Sequence, residues 1–119
     1  ISIDVIQKLK LNIEKNTPIY ISQKNIEHIK NKHFKDYDKY GNQIENIIKY
    51  PTYIAKHPKD GSIEYIKKYI LNNEYVFVAV RVTSNNINFV RTMFVMTDKK
   101  VNIYINNNYF IKYNCINKF

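Results

Sequence analysis

Up to residue 50 the apolar positions fall at three- and four-residue intervals, and beyond it they alternate. The first half therefore reads as helices and the second as strands. In "SIDVIQKLKLNIEK", Ile3, Ile6, Leu9 and Ile13 have helical spacing, with Ser2 placed to cap the first turn. Pro18 ends the following loop, and "IYIS" predicts a short strand. Ser22 then stands as the N-cap of a second helix, which carries Ile26 and Ile29 on one face and His28 beside it. "FKDYDKYGN" reads as loop. "NQIENIIKY" predicts a third helix with Ile44, Ile47 and Ile48 inward, stopped by Pro51.

From there "TYIAKH" predicts a strand and "PKDG" a turn. "SIEYIKKYIL", "EYVFVAVRVT", "NFVRTMFVMT", "VNIYIN" and "YFIKYN" read as further strands, separated by Asn-Asn, Asp-Lys-Lys and Asn-Asn-Asn breaks. Helices first and an antiparallel meander afterwards is an α+β order, not an alternating βαβ one. No repeats, linkers or low-complexity tails interrupt residues 1–119, which read as one domain.

The central hairpin decides where charge is displayed. Val76, Val78, Val80 and Val82 share one face of their strand and are expected against the helices. Tyr75, Phe77, Ala79 and Arg81 share the other, which is aromatic and ends in a cation. The facing of the next strand depends on the connection. With a two- or four-residue connection, Thr92 joins the Arg81 face and Arg91 points among the valines, which is costly for an unpaired charge. With a three-residue connection, Arg81 and Arg91 are neighbours on the open face and Thr92 points inward. The second register is favoured, because an anion between two arginines makes their approach tolerable; a bulge would spoil either count. Lys67 and Lys68 sit mid-strand, so alternation sends one to each face.

Composition adds a partner. The chain has 119 residues, 19 Lys+Arg against 10 Asp+Glu, a net charge of +9 and a pI near 9.5. Such a balance points to an anionic partner: nucleic acid, an acidic membrane or an acidic protein. A/T-rich codons also inflate Lys, but they explain the excess over Glu poorly. No apolar run approaches the roughly 20 residues of a membrane span. Cys115 is the single cysteine, which excludes an internal disulfide and cysteine-pair zinc sites. The chain opens on Ile1 without a signal-peptide pattern, and is expected to be a domain cut from, or the tail of, something longer.

His28 and His33, in "NIEHIKNKHF", are the candidate chemistry. Metal-sharing helical pairs stand at i, i+4; at i, i+5 the side chains diverge by about 140°. No acid or cysteine lies nearby at ligand spacing, and Lys24, Lys30, Lys32 and Lys35 would repel a cation. No metal and no cofactor are expected. Two readings stay open: solvated surface imidazoles near a helix C-terminus, or an acid–base pair. If the helix ends near Asn31, His33 is free to turn back over the sheet. His57, just before a turn, is the weakest candidate. RNA cleavage without a metal needs a base for the ribose 2′-OH, an acid for the leaving 5′-oxygen, and cations or hydroxyls around the phosphorane. His28, His33, a strand lysine, Arg81, Arg91 and Thr92 supply that set. Lys30 and Lys32 would hold the backbone, and Tyr75, Phe77 and Tyr113 would stack unpaired bases. The rival readings are a non-catalytic module gripping RNA or an acidic protein, and an interaction domain whose charge is a codon by-product.

These motifs carry a resemblance. "NIEHIKNKH" on an early helix, a helix ending at "YP", a lysine-bearing strand, "VFVAVRV" and "FVRTMF" follow in order between about Ile19 and Tyr113. Together they resemble the barnase–EndoU–colicin–RelE-like superfold of small metal-independent RNases, especially its phage-encoded and polymorphic-toxin branches. The resemblance implies helices packed on one face of four to five antiparallel strands, with RNA on the open face. It implies a nuclease core over 19–113, with 1–16 a remnant of a delivery protein or an extra helix behind the sheet. It maps the histidine motif onto His28 and His33, the strand cation onto Lys67 or Lys68 with Arg81 as a further candidate, and an arginine–threonine step onto Arg91 and Thr92. A monomeric toxin cleaving tRNA or another structured RNA is implied, paired with an acidic immunity or antitoxin protein. It would act in the cytoplasm of the producing or target bacterial cell, delivered as the C-terminal part of a larger secreted or phage protein.

Overall fold

Ser2, Ser22 and Thr97 each start a helix by accepting a backbone N–H of its first turn. In the computed structural model, which describes residues 1–113, Ser2 Oγ accepts the Val5 N–H at 3.3 Å and starts α1, Ile3–Leu9. After the short strand β1, Ile19–Tyr20, Ser22 Oγ accepts the Asn25 N–H at 3.1 Å and starts α2, Gln23–Lys32. Then come α3, Phe34–Tyr40, and α4, Ile44–Lys49, joined by a 3₁₀ turn. Strands β2, Tyr53–Lys56, β3, Ile63–Tyr69, β4, Glu74–Val82, and β5, Asn88–Val95, lead to α5, Asp98–Asn106, and to β6, Ile111–Lys112. The fold class is α+β, as the helix-then-strand order implies. Asn114 and Cys115 lie outside the described residues.

Three expectations need correction. The segment 34–42 is not loop: Tyr37 and Tyr40 pack on the core at i, i+3, a period that tyrosines conceal. "VNIYIN" is not a strand. It belongs to α5, where Thr97 Oγ accepts the Lys100 N–H at 3.2 Å and Val101 is buried while Ile103 and Ile105 stay exposed. Its alternation is a coincidence of composition, and the Thr-Asp cap is the truer signal. The sheet has six strands in the order β1-β5-β4-β3-β2-β6, with β1 parallel to β5 and the other pairs antiparallel.

The valine face lies where alternation puts it. Val76, Val78 and Val80 join Val5, Leu9, Ile29, Ile44 and Ile47 in the main core, so α1 is packed into the fold with the other N-terminal helices. The opposite face is not wholly open, contrary to the one-sided arrangement expected. Val101 and Tyr104 of α5 pack there against Ile66, Phe77 and Met96. Helices therefore cover both faces, and α5 confines exposure of the second face to the part beside β5. The centre of the main core should be the costliest to empty. Ile54 is fully buried, and Ile54→Ala is expected to lose about 2–5 kcal/mol of unfolding free energy, read from urea unfolding with an unchanged slope.

The β4–β5 hairpin resolves the register through a bulge. Residues 83–87 connect the strands, with Thr83 Oγ1 donating to the Ile87 carbonyl at 2.8 Å. Val82 pairs with Asn88, Arg81 with Phe89 and Val80 with Val90, which is the register that puts Arg91 on the open side. The partner of Ala79 is then Thr92, so Arg91 is the extra residue of a bulge. Thr92 therefore faces the open side with Phe94, instead of pointing inward as that register alone required, while Met93 enters the core.

Candidate active-site cleft

The bulge and the end of α2 meet around a cleft of about 260 Å³ on the second face of the sheet. His28 and Lys32 come from α2, and His33 from its C-cap. The ideal-helix divergence of the two imidazoles does not apply, because α2 ends at Lys32. His33, with φ −136° and ψ 51°, is already out of helical geometry and also begins α3. Its ring packs on Phe94 at 5.3 Å between centroids. Two features let the helices reach this side. β1 covers only the Asn88–Phe89 end of β5, and beyond it Asp36 of α3 accepts the Val95 N–H at 3.0 Å.

β5 contributes Arg91, Thr92 and Phe94, and β4 contributes Phe77 and Ala79. Phe77 and Phe94 stack at 4.6 Å with planes 9° apart, making a stiff apolar floor. The opposite wall is His57, at the end of β2, with Ser62 and Glu64. His28, Lys32, His33, Arg91 and Thr92, the imidazoles, cations and hydroxyl expected together from the sequence, all line this one cleft.

Other candidates lie elsewhere. Lys67 pairs with Val76 on the helix-facing side, and its Nζ donates to the Tyr50 carbonyl at 2.8 Å. Lys68 does share the face of Phe77, but it stands over Tyr75 at 5.5 Å near α5, outside the cleft lining. Neither lysine enters the cleft, because Glu64 of β3 and Ser62 just before it line the cleft at that level. Arg81 is exposed opposite Phe89 and does not line the cleft either. Lys30 sits over Tyr37, 5.3 Å from the ring centroid. Tyr75 packs against Tyr53 among the residues around α5, and Tyr113 packs against the main core on the helix side. Neither is placed to stack a base in the cleft. Phe77 is there, as buried floor.

Three residues of the opposite wall, and one behind them, were missed or undervalued by the sequence reading. Glu64 is 6 % exposed and accepts from the Tyr109 hydroxyl at 2.8 Å. Burial pushes its carboxyl above the usual range, against the opposing pull of Tyr109 and His57. Alternation does place Glu64 on the face of Phe77, so the signal was present in the sequence. Asp60, in the turn after β2, accepts from the Ser62 N–H at 2.9 Å and from Arg91 Nη1 at 2.7 Å. The Ser62 amide, then Arg91 and His57, hold its carboxyl down at about 2. A depressed carboxylate contributes its stability above the ordinary pKa and loses it as pH falls through the folded value. The Asp60–Arg91 pair is therefore intact from neutral pH down to about 2. No group of three or more His, Cys, Asp or Glu among the described residues is arranged to hold a metal ion.

A larger groove of about 490 Å³ lies between β1 and α4, lined mainly by Ile19, Ile26, Ile44, Ile48 and Tyr37. It contains no histidine or arginine and offers no comparable chemistry. Among the described residues no helix is long and apolar enough to cross a membrane. Residues 1–103 match the family model described as phage-Barnase-EndoU-ColicinE5/D-RelE like nuclease3, a span that includes α1 and ends within α5. Searches of curated proteins and of solved structures gave no match.

Proposed function

From the premise that the chain belongs to the phage-Barnase-EndoU-ColicinE5/D-RelE like nucleases, we propose that it is an endoribonuclease that uses the substrate's own 2′-hydroxyl as nucleophile. The observation that carries the reading is the meeting of His28 and His33 with Arg91 and Thr92 in one cleft.

One imidazole of the α2 pair takes the 2′-hydroxyl proton. The 2′-oxygen bonds to phosphorus as the bond from phosphorus to the 5′-oxygen breaks, and the other imidazole, protonated, gives its proton to that oxygen. The products are a 2′,3′-cyclic phosphate and a 5′-hydroxyl. Arg91 and Lys32 balance the charge that grows on the phosphorane, and the Thr92 hydroxyl donates to it. Lys67, Lys68 and Arg81 have no part in this step, since they stand outside the cleft. DNA, lacking the 2′-hydroxyl, is bound but not cut. The +9 charge favours a folded, phosphate-dense substrate such as tRNA. A toxin role in a bacterial cytoplasm and an acidic immunity or antitoxin partner are part of the same reading, supported by the family and the charge.

Purified protein is expected to cleave structured RNA in EDTA, leaving cyclic phosphate ends, and to spare the same sequence bearing a 2′-deoxy residue at the cut. Salt-sensitive RNA binding without turnover would replace the enzyme with a binding module.

A further inference from the structure

We infer that the turn between β2 and β3 completes the site: His57 presents a standing Nε2–H donor to the scissile phosphate, and Asp60 positions the Arg91 guanidinium beside it. The inference deepens the nuclease reading and rests on it for the identity of the ligand.

The geometry of the turn decides which nitrogen of His57 is protonated. Its Nδ1 accepts the Lys59 N–H at 3.2 Å and the Asp60 N–H at 3.3 Å. An accepting nitrogen carries a lone pair, so the neutral ring keeps its proton on Nε2. A second proton goes to Nδ1, which lies 3.4 Å from Asp60 Oδ1. In both charge states Nε2 is a donor. A neutral ring held this way has no lone pair on Nε2 with which to take a 2′-hydroxyl proton. His57 is therefore not the base, and proton transfer stays with the α2 imidazoles. What His57 offers the cleft it lines is a hydrogen bond to a non-bridging phosphate oxygen.

Two neighbours shape this wall and orient its cations. Ser62, buried in the cleft wall, sets its hydroxyl beside the Asp60 carboxylate that its amide also holds. The Asp60 carboxylate, through its separate oxygens, touches both the His57 side of the turn and Arg91. Arg91 is an exposed residue at a bulge, and without that contact its long side chain would sample many rotamers. Asp60 thus acts through Arg91 and is a positioning residue.

The test uses the full chain with ¹⁵N-labelled histidine and arginine. At alkaline pH, long-range proton–nitrogen correlation is expected to show His57 as the Nε2–H tautomer; the Nδ1–H tautomer would overturn the inference whatever the protein cleaves. Addition of a short 2′-O-methyl oligoribonucleotide, which cannot react, is then expected to shift His57 and Arg91 together with His28 and His33. Shifts confined to His28 and His33 overturn the inference and leave the nuclease reading standing. No shift at any cleft residue removes both. In kinetics, His57→Ala is expected to lower kcat about 10²-fold with KM nearly unchanged, and His57→Gln, whose amide nitrogen extends to the Nε2 position, to recover most of it. Equal losses in the two variants contradict a donor role. Asp60→Asn and Arg91→Ala should combine less than additively, and full additivity contradicts positioning through Arg91.

Discussion

His28→Ala and His33→Ala are each expected to lower kcat for RNA cleavage by about 10²–10⁴-fold, the usual loss of a general acid or base. KM should change little, because neither imidazole is needed to hold the polyanion. His28 is exposed on α2 and His33 is half-buried at its end, so His28→Ala should unfold at the wild-type midpoint. His33→Ala gives up a ring contact with Phe94 and should lose some stability. The pair acts on one proton path, so the double variant should lose much less than the product of the single losses. Bell-shaped dependence of kcat/KM on pH is expected for the wild type, with one limb missing in each single variant. Which limb each variant lacks assigns base and acid. Activity in both variants within a few-fold of wild type would remove the α2 imidazoles from the chemistry.

Arg91→Ala is expected to lower kcat about 10²–10³-fold, as when one preorganised donor to a developing charge is removed. Arg91→Lys should recover only part of this, because an ammonium cannot reproduce a guanidinium shared between Asp60 and a phosphate. The loss should not be reversed by lowering salt, which strengthens phosphate binding in general and does not rebuild a transition-state contact. Lys68→Ala is the control. It removes an equal charge from the same face outside the cleft, and should leave kcat within a few-fold. Losses of equal size in the two variants would mean that bulk charge, and not the position of Arg91, sustains activity.

The value of these two sites was uneven in the linear chain. The histidine pair stood out because imidazoles are few and these two lie close together beside a helix end. Arg91 stood out because one register made it an intolerable core charge. The acidic half of the cleft did not stand out. Glu64 looks like an ordinary strand carboxylate until burial by the strands beside it and the Tyr109 hydroxyl are known. Asp60 looks like a turn former, and its contact with Arg91 spans thirty-one positions of chain. His57 reads as the weakest candidate in the linear chain, since nothing local shows that its turn borders the cleft. Among the helices, α3 escaped because tyrosines supplied its apolar period, and α5 escaped because valine and isoleucines happened to alternate.

By itself, the order of residues determined the helix-then-strand plan, the caps at Ser2 and Ser22, and the valine face of β4, because spacing and capping act within a few residues of each other. Tertiary structure decided the site. A single extra residue in β5 turns both Arg91 and Thr92 to the open side, α5 closes part of that face, and the short reach of β1 lets the end of α2 come round β5. Each of these depends on which distant strand a segment pairs with, and pairing energy is settled by partners far along the chain that no local pattern records.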